Sequence, residues 1–340
     1  MRPEASLNPG GEAANESFDR EVICRGKPMV ELRGREGAFV VTDVGELIAV
    51  GPEARELTPF AVVEGAGAPS TRLFLASAAA LDLGGEPVLG TSANQIAWFR
   101  RGAWEVKAHP APVLALGSSR AGVVAGDSAG ELTVFDGRRV AGLHAGEPVV
   151  EILAVGDRLG VLGGGGGLWT TRWPHDDAGA LTAIETGRVG RPFGLFAAKE
   201  GFLGVFGARR AALVDLARGR ITATSLDLGE IRAITSLDDG EGYAVLTDAG
   251  EVSTLDSGLR TPRGISLPSK GGAAVGVRSV GGGALLVWTQ AGELFSVHRS
   301  GLARRIADDG VALAYPTRDG ACVVVHTTAT GLRLRTERWS

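Results

Sequence analysis

The sequence is poor in aromatic residues, cysteine and lysine, and it has no long apolar run. Each shortage removes a class of protein. Aromatic residues make up 6% of the 340 residues, and there are two cysteines, Cys24 and Cys322. Two distant cysteines give neither a disulfide framework nor a paired-cysteine metal knuckle. A reduced, cytoplasmic location is the expectation, because the opening MRPEASLNPGGEAANESF carries no apolar secretion core. No apolar stretch is long enough to span a membrane as a helix. Four of the 35 basic residues are lysine (Lys27, Lys107, Lys199, Lys270), and formal net charge is −4. That balance gives no general attraction to nucleic acid or to an anionic membrane. The richness in Ala, Gly and Arg points to a bacterial source. Catalytic signatures are missing too: there is no nucleophile elbow, no Cys–His pair and no HExxH zinc motif. No catalytic residue, metal ligand or cofactor is therefore assigned, and the protein is expected not to be an enzyme.

Glycine is what the chain has in excess, at 52 residues. Interior glycine costs a helix about 1 kcal/mol relative to alanine, so long helices are disfavoured and tight turns are favoured. The glycines fall in a repeat. VVTDVGELIAV (40–50), VVAGDSAGELTVFD (123–136), VLTDAGEVSTLD (245–256) and VWTQAGELFSVH (287–298) each read as two alternating strands around a glycine turn. Weaker copies lie at 88–99, 160–173, 204–216 and 323–339. The first apolar residues after the turns are Leu47, Ile96, Leu132, Leu168, Ala212, Val252, Leu294 and Leu332. Their mean spacing is about 41 residues, which fits a four-stranded propeller blade.

The spacing predicts an all-β single β-propeller of about eight four-stranded blades, with seven blades and an accessory hairpin as the alternative. The hairpins are strands b and c. Inner strands a are expected at 113–116, 149–153, 231–234 and 311–314, and outer strands d at 104–108, 221–225 and 302–306. The last unit reaches the end of the sequence without a strand d, and residues 18–24 are expected to supply it from the other terminus. The propeller then occupies 17–340, and 1–16 form a flexible tail. In that register Cys24 and Cys322 share a blade but lie too far apart for a disulfide.

The units resemble the WD40-like superfamily of propellers. His109-Pro-Ala-Pro-Val113 is similar to its entry to strand a, Gly126 and Gly130 sit in the hairpin, and Phe135-Asp136 stands where Trp-Asp closes strand c. TDVGELIAV and TDAGEVSTLD also resemble quinoprotein-like repeats. The resemblance implies a rigid ring that presents loops to another protein, or alternatively an enzyme or small-molecule binder using the central channel.

Candidate binding residues follow from loop length and charge. The loop Trp173-Pro-His175-Asp176 lies in a longer unit and is expected to contact a partner. The glycine tract 163–167 lacks the Lys-Ser/Thr of a phosphate loop and is read as a hairpin turn. His109 and His144 occupy equivalent entry positions and are read as structural hydrogen-bonding residues. Acids gather in the b–c turns: Asp43, Glu46, Asp127, Glu131, Asp248, Glu251 and Glu293. Arginines gather in the c–d turns: Arg100, Arg101, Arg138, Arg139, Arg218, Arg220, Arg299, Arg304 and Arg305. A disc with one acidic and one basic face is expected, with Arg100, Arg101, Arg138, Arg139, Arg304 and Arg305 as partner contacts. The leading function is a non-catalytic scaffold or regulatory subunit in a bacterial multiprotein assembly of signalling or defence type. Nucleic acid and membrane are not expected partners.

Overall fold

The computed structural model describes residues 19–22, 28–33, 38–42, 47–50, 55–56, 76–82, 86–91, 93–101, 103–119, 122–134, 139–173, 180–237, 241–269, 272–281, 283–298, 300–316, 321–328 and 331–338. The expected tail 1–16 and Cys24 lie outside these residues. The described strands form eight antiparallel four-stranded sheets in meander order, which are the blades of a β-propeller. Blade I holds Pro28–Arg33, Ala38–Thr42, Leu47–Val50 and Arg55–Glu56. Blade II holds Ala76–Leu81, Pro87–Thr91, Gln95–Arg100 and Ala103–Ala108. Blade III holds Val113–Ser119, Gly122–Asp127, Glu131–Val134 and Arg139–His144. Blade IV holds Val149–Val155, Arg158–Gly163, Leu168–Arg172 and Thr182–Ala183. Blade V holds Pro192–Ala197, Phe202–Gly207, Ala211–Asp215 and Arg220–Thr224. Blade VI holds Ile231–Leu237, Gly242–Thr247, Val252–Asp256 and Arg263–Ile265. Blade VII holds Ala274–Gly281, Ala284–Thr289, Leu294–His298 and Ala303–Ala307. Blade VIII holds Val311–Pro316, Ala321–Thr328 and Gly331–Arg338, and its fourth strand is Asp19–Val22.

The inner strand a of each blade packs against strand a of the next, from blade I through to blade VIII. The ring is then joined through Asp19–Val22, which pairs antiparallel with Gly331–Arg338 in the register Asp19↔Arg335 to Val22↔Leu332. The expected closure by the N-terminal segment is therefore the observed one.

Strand b is the most apolar element, because it is covered on both faces by neighbouring blades. In blades VI and VII all six of its residues are buried. Burying both faces of every central strand produces layered inter-blade cores, such as Leu162, Leu168, Leu195, Leu203, Val205 and Val214 between blades IV and V. Cys322 sits in one such layer, where burial above all, with Glu337 adding to it, pushes its thiol up to about 12. Outer strands are shorter and more polar, which suits an exposed edge.

The hairpin glycines are required twice over. Gly130, Gly250 and Gly292 hold φ of +88°, +77° and +78°. A Cβ on Gly250 or Gly292 would stand 2.3 or 2.4 Å from the chain entering the following blade. The backbone is stitched at the same place: Gly130 O, Gly250 O and Gly292 O accept the N–H of Ala145, Ala274 and Val311. Each turn thus fixes the entry of the next blade. No helix among the described residues is long and apolar enough to cross a membrane.

Candidate functional site

Strand a starts, and the b–c turn lies, on one and the same face of the ring, because successive strands alternate in direction. The turns of this face are built by side chains at the end of strand b. Thr247 and Thr289 accept, through Oγ1, the N–H of Glu251 at 3.1 Å and Glu293 at 3.2 Å. Asp127 occupies the same position in blade III. Its Oδ1 accepts the N–H of Ala129 and of Glu131, both at 2.9 Å, and its side chain is fully buried. This corrects its assignment to an acidic surface. Asp127 is the last residue of a strand, whereas Asp248 is the first of a turn and is exposed. The buried His109 stands beside it, with Nδ1 3.8 Å from Asp127 Oδ2 and 2.9 Å from Ala111 O. His144 Nδ1 accepts the N–H of Gly146 at 2.9 Å.

The glycine tract of blade IV holds an anion of the chain's own. Glu147 Oε2 accepts the N–H of Gly165 at 2.5 Å, and Oε1 accepts that of Gly167 at 2.8 Å. Arg191 braces the turn by donating to Gly164 O at 2.6 Å. A Cβ at Gly163, Gly165 or Gly167 would stand 2.2, 1.9 or 2.3 Å from the Glu147 carboxylate. The run of glycine is what lets that carboxylate dock. These N–H groups are spoken for, so the tract is a hairpin rather than a ligand loop.

The sequence-selected contacts that lie among the described residues are not brought together. Trp173 is 4% exposed and packs in the core between blades III and IV. That corrects its reading as a loop anchor: it follows strand c directly, so its side chain continues the buried alternation. His175, Asp176 and Arg138 lie outside the described residues, and Arg139 opens the outer strand of blade III. Arg100 lies over the Trp98 ring at 4.3 Å, with Nη2 3.7 Å from Asp82 Oδ2. Arg101 is exposed at φ 52° in the adjoining turn. Arg304 is exposed on the outer strand of blade VII. Arg305 is engaged internally: Nη2 donates to Pro268 O at 2.8 Å and lies 3.3 Å from Oε1 of the buried Glu293. The turn acids are therefore reduced by Asp127 and Glu293. In blade V the b–c turn carries Arg209 and Arg210, a basic pair that the charge reading passed over.

A feature that the sequence reading missed runs round the start of strand a. In all eight blades the a–b register slips at the second residue of strand a. A bulge places two residues opposite one and re-aims the extra side chain. The bulged residues are Met29, Ser77, Leu114, Val150, Phe193, Arg232, Val275 and Ala312. They stand on the innermost strand at the b–c face, and so encircle the mouth of the central channel. Six of the eight are apolar. Phe193 is 57% exposed and Val150 42%, Ser77 and Arg232 are exposed too, and Leu114, Val275 and Ala312 are half-buried. The only available signal was a doubled apolar pair at the start of strand a, as in Val113-Leu114 and Val149-Val150. Among the described residues no cluster of His, Cys, Asp or Glu is placed to hold a metal ion.

No family model matches the sequence, and no curated protein matches it either. Solved structures do match. The chain is similar to the C-terminal WD40 domain of Sif2, at 13% identity over 94% of this chain and 98% of that one, with TM-score 0.66. It is similar to BamB from Moraxella catarrhalis, at 14% identity over 92% and 99%, with TM-score 0.62. It is similar also to the β-propeller domain of Cps50 (Swd1) from Myceliophteria thermophila, at 12% identity over 77% and 96%, with TM-score 0.55. At these identities the likeness is one of fold, and the resemblance of the repeats to propeller repeats holds at that level.

Proposed function

We propose that the protein is a non-catalytic interaction propeller, a scaffold or regulatory subunit that holds another protein over the mouth of its central channel. One observation carries this reading: the apolar collar set by eight repeated bulges. A channel-based enzyme or small-molecule site needs polar groups converging at the mouth. Here Phe193 and Val150 are exposed beside two isolated polar positions, Ser77 and Arg232, while Leu114, Val275 and Ala312 are half-buried. Exposed apolar side chains on a rigid support suit a protein contact, where a few desolvated anchors supply most of the affinity. Bacterial origin, a cytoplasmic location and a signalling or defence-type assembly belong to the same proposal.

The test is affinity purification of the tagged chain from its native host, alongside the double variant Val150→Asp/Phe193→Asp. Both side chains are exposed, so the thermal midpoint of the variant is expected to match the wild type. The wild type is expected to retain a stoichiometric protein partner that the variant loses. A lone wild-type protein that carries a bound metal or cofactor overturns the reading.

A further inference from the structure

The outer rim between blades V and VI carries a cleft that the repeat does not require. Its volume is about 420 Å³, within the range of roughly 300–1,000 Å³ usual for ligand sites. Three arginines line it from three separate elements. Arg188 comes from the segment entering blade V, Arg210 from the b–c turn of blade V, and Arg260 from the c–d turn of blade VI. The hydroxyl-bearing wall is Thr222, Thr224 and Ser225, on the outer strand of blade V and its exit.

The charge in the cleft is not neutralised from within. Arg188, Arg210 and Arg260 are exposed, and no described carboxylate lies within ion-pair distance of any of them. The acid on the cleft wall and the acid of the Arg260 turn are committed elsewhere. Asp227, on the cleft wall, receives Arg209 Nε at 2.9 and 3.1 Å and the N–H of Gly229 at 3.0 Å. The Arg209 bond, above all, holds its carboxyl below the usual range, and Arg210 adds at longer range. Asp256 accepts the N–H of Gly258 at 2.9 Å and of Arg260 at 2.8 Å, which spends it on the turn. Asp227 is shared between Arg209 and, at longer range, Arg210, and the cleft is left with a net positive charge. Thr224 Oγ1 is buried on the same wall with no hydrogen-bond partner. Leu226 is 71% exposed at the lip.

We propose that this cleft binds an acidic segment of a partner protein, with Asp or Glu carboxylates taken by Arg188, Arg210 and Arg260 and an apolar neighbour laid on Leu226. The inference rests on the interaction-propeller reading and gives it a second contact, on the rim rather than at the channel mouth. Guanidinium groups suit this work because each offers planar, paired donors to a carboxylate. The space exceeds what a single small anion fills.

Fluorescence anisotropy of a labelled oligoglutamate peptide with the full chain tests this, against an oligoglutamine peptide of equal length. The glutamate peptide is expected to bind, and to weaken as salt is raised from about 50 to about 300 mM. Arg188→Glu/Arg260→Glu is expected to reduce affinity by at least about tenfold, and Leu302→Ser, at an exposed position in blade VII, to leave it unchanged. Should the charge reversals fail to fold, Arg188→Ala/Arg260→Ala gives the same readout at smaller amplitude. Equal binding by wild type and arginine variants, or equal binding of the glutamine peptide, overturns the proposal. Saturable binding of inorganic phosphate without binding of the peptide also overturns it, in favour of a small-anion site. If the peptide fails while native-host purification still yields a collar-dependent partner, the acidic-segment proposal falls and the interaction reading stands.

Discussion

Glu151 shows how one residue couples two blades to pH. It lies on strand a of blade IV, and its Oε2 accepts the N–H of Leu195 on strand a of blade V at 2.8 Å. Burial pushes its pKa from 4.5 to about 7, and the Leu195 N–H pulls it back only in part. An unfolded chain loses this proton near pH 4.5, whereas the folded chain keeps it until about pH 7. Between those values the folded state binds more protons than the unfolded state, so stability falls as pH rises through that window. Above pH 7 the loss is complete, at an upper bound of about 3 kcal/mol. Glu151→Gln keeps an acceptor for Leu195 and cannot titrate. Its urea midpoint, relative to the wild type, is expected to be higher at pH 8 than at pH 5. An equal difference at both pH values would show that the wild-type carboxylate is already ionised in the fold.

At the scale of an element, the blade IV hairpin depends on a residue from outside it. Glu147→Ala leaves the N–H groups of Gly165 and Gly167 without their acceptor, and each such loss costs about 1–3 kcal/mol where water cannot replace it. Gly165 is exposed and Gly167 half-buried, so the low end of that range is expected. The checks are the urea midpoint and amide exchange at those two glycines, with faster exchange expected at Gly167. Unchanged exchange would mean that the turn holds its shape without the carboxylate. That such a hairpin exists was legible in the sequence, because strand alternation and turn glycine are local signals. The docking of Glu147 was not, since it spans 18 and 20 residues of chain. Asp127 was misread for a related reason. Composition groups it with Asp248, but register groups it with Thr247 and Thr289, and register decides which side chain is buried. Arg209 and Arg210 were not legible in the same way, because their hairpin lacks the turn glycine of the strongest repeats. The bulges were hidden because slipping one residue at the start of a strand leaves its apolar run intact. The repeat unit could therefore be read, while the collar and the rim cleft required the assembled ring.

The whole molecule poses a question of closure. Blades touch chiefly their neighbours, so an open stack of eight would behave as a solenoid, whose end units fray first. Here the first strand and the last unit share a sheet, and neither end is free. The register of that pairing runs from Asp19 opposite Arg335 to Val22 opposite Leu332. The effect is topological. The entropy of closing a long loop grows only with the logarithm of its length, so a contact between residues near 20 and 335 costs little more than a much shorter one. Once made, it removes fraying at both ends. A chain starting at residue 26 is therefore expected to unfold at lower temperature and over a broader range than the full chain, with the earliest exchange in blades I and VIII. A synthetic peptide of residues 17–26 added in trans is expected to restore part of the midpoint by refilling the outer edge of blade VIII. A truncated chain that melts at the full-length midpoint with the same sharpness would show that blade-to-blade packing alone closes the ring, and that Asp19–Val22 only covers an edge.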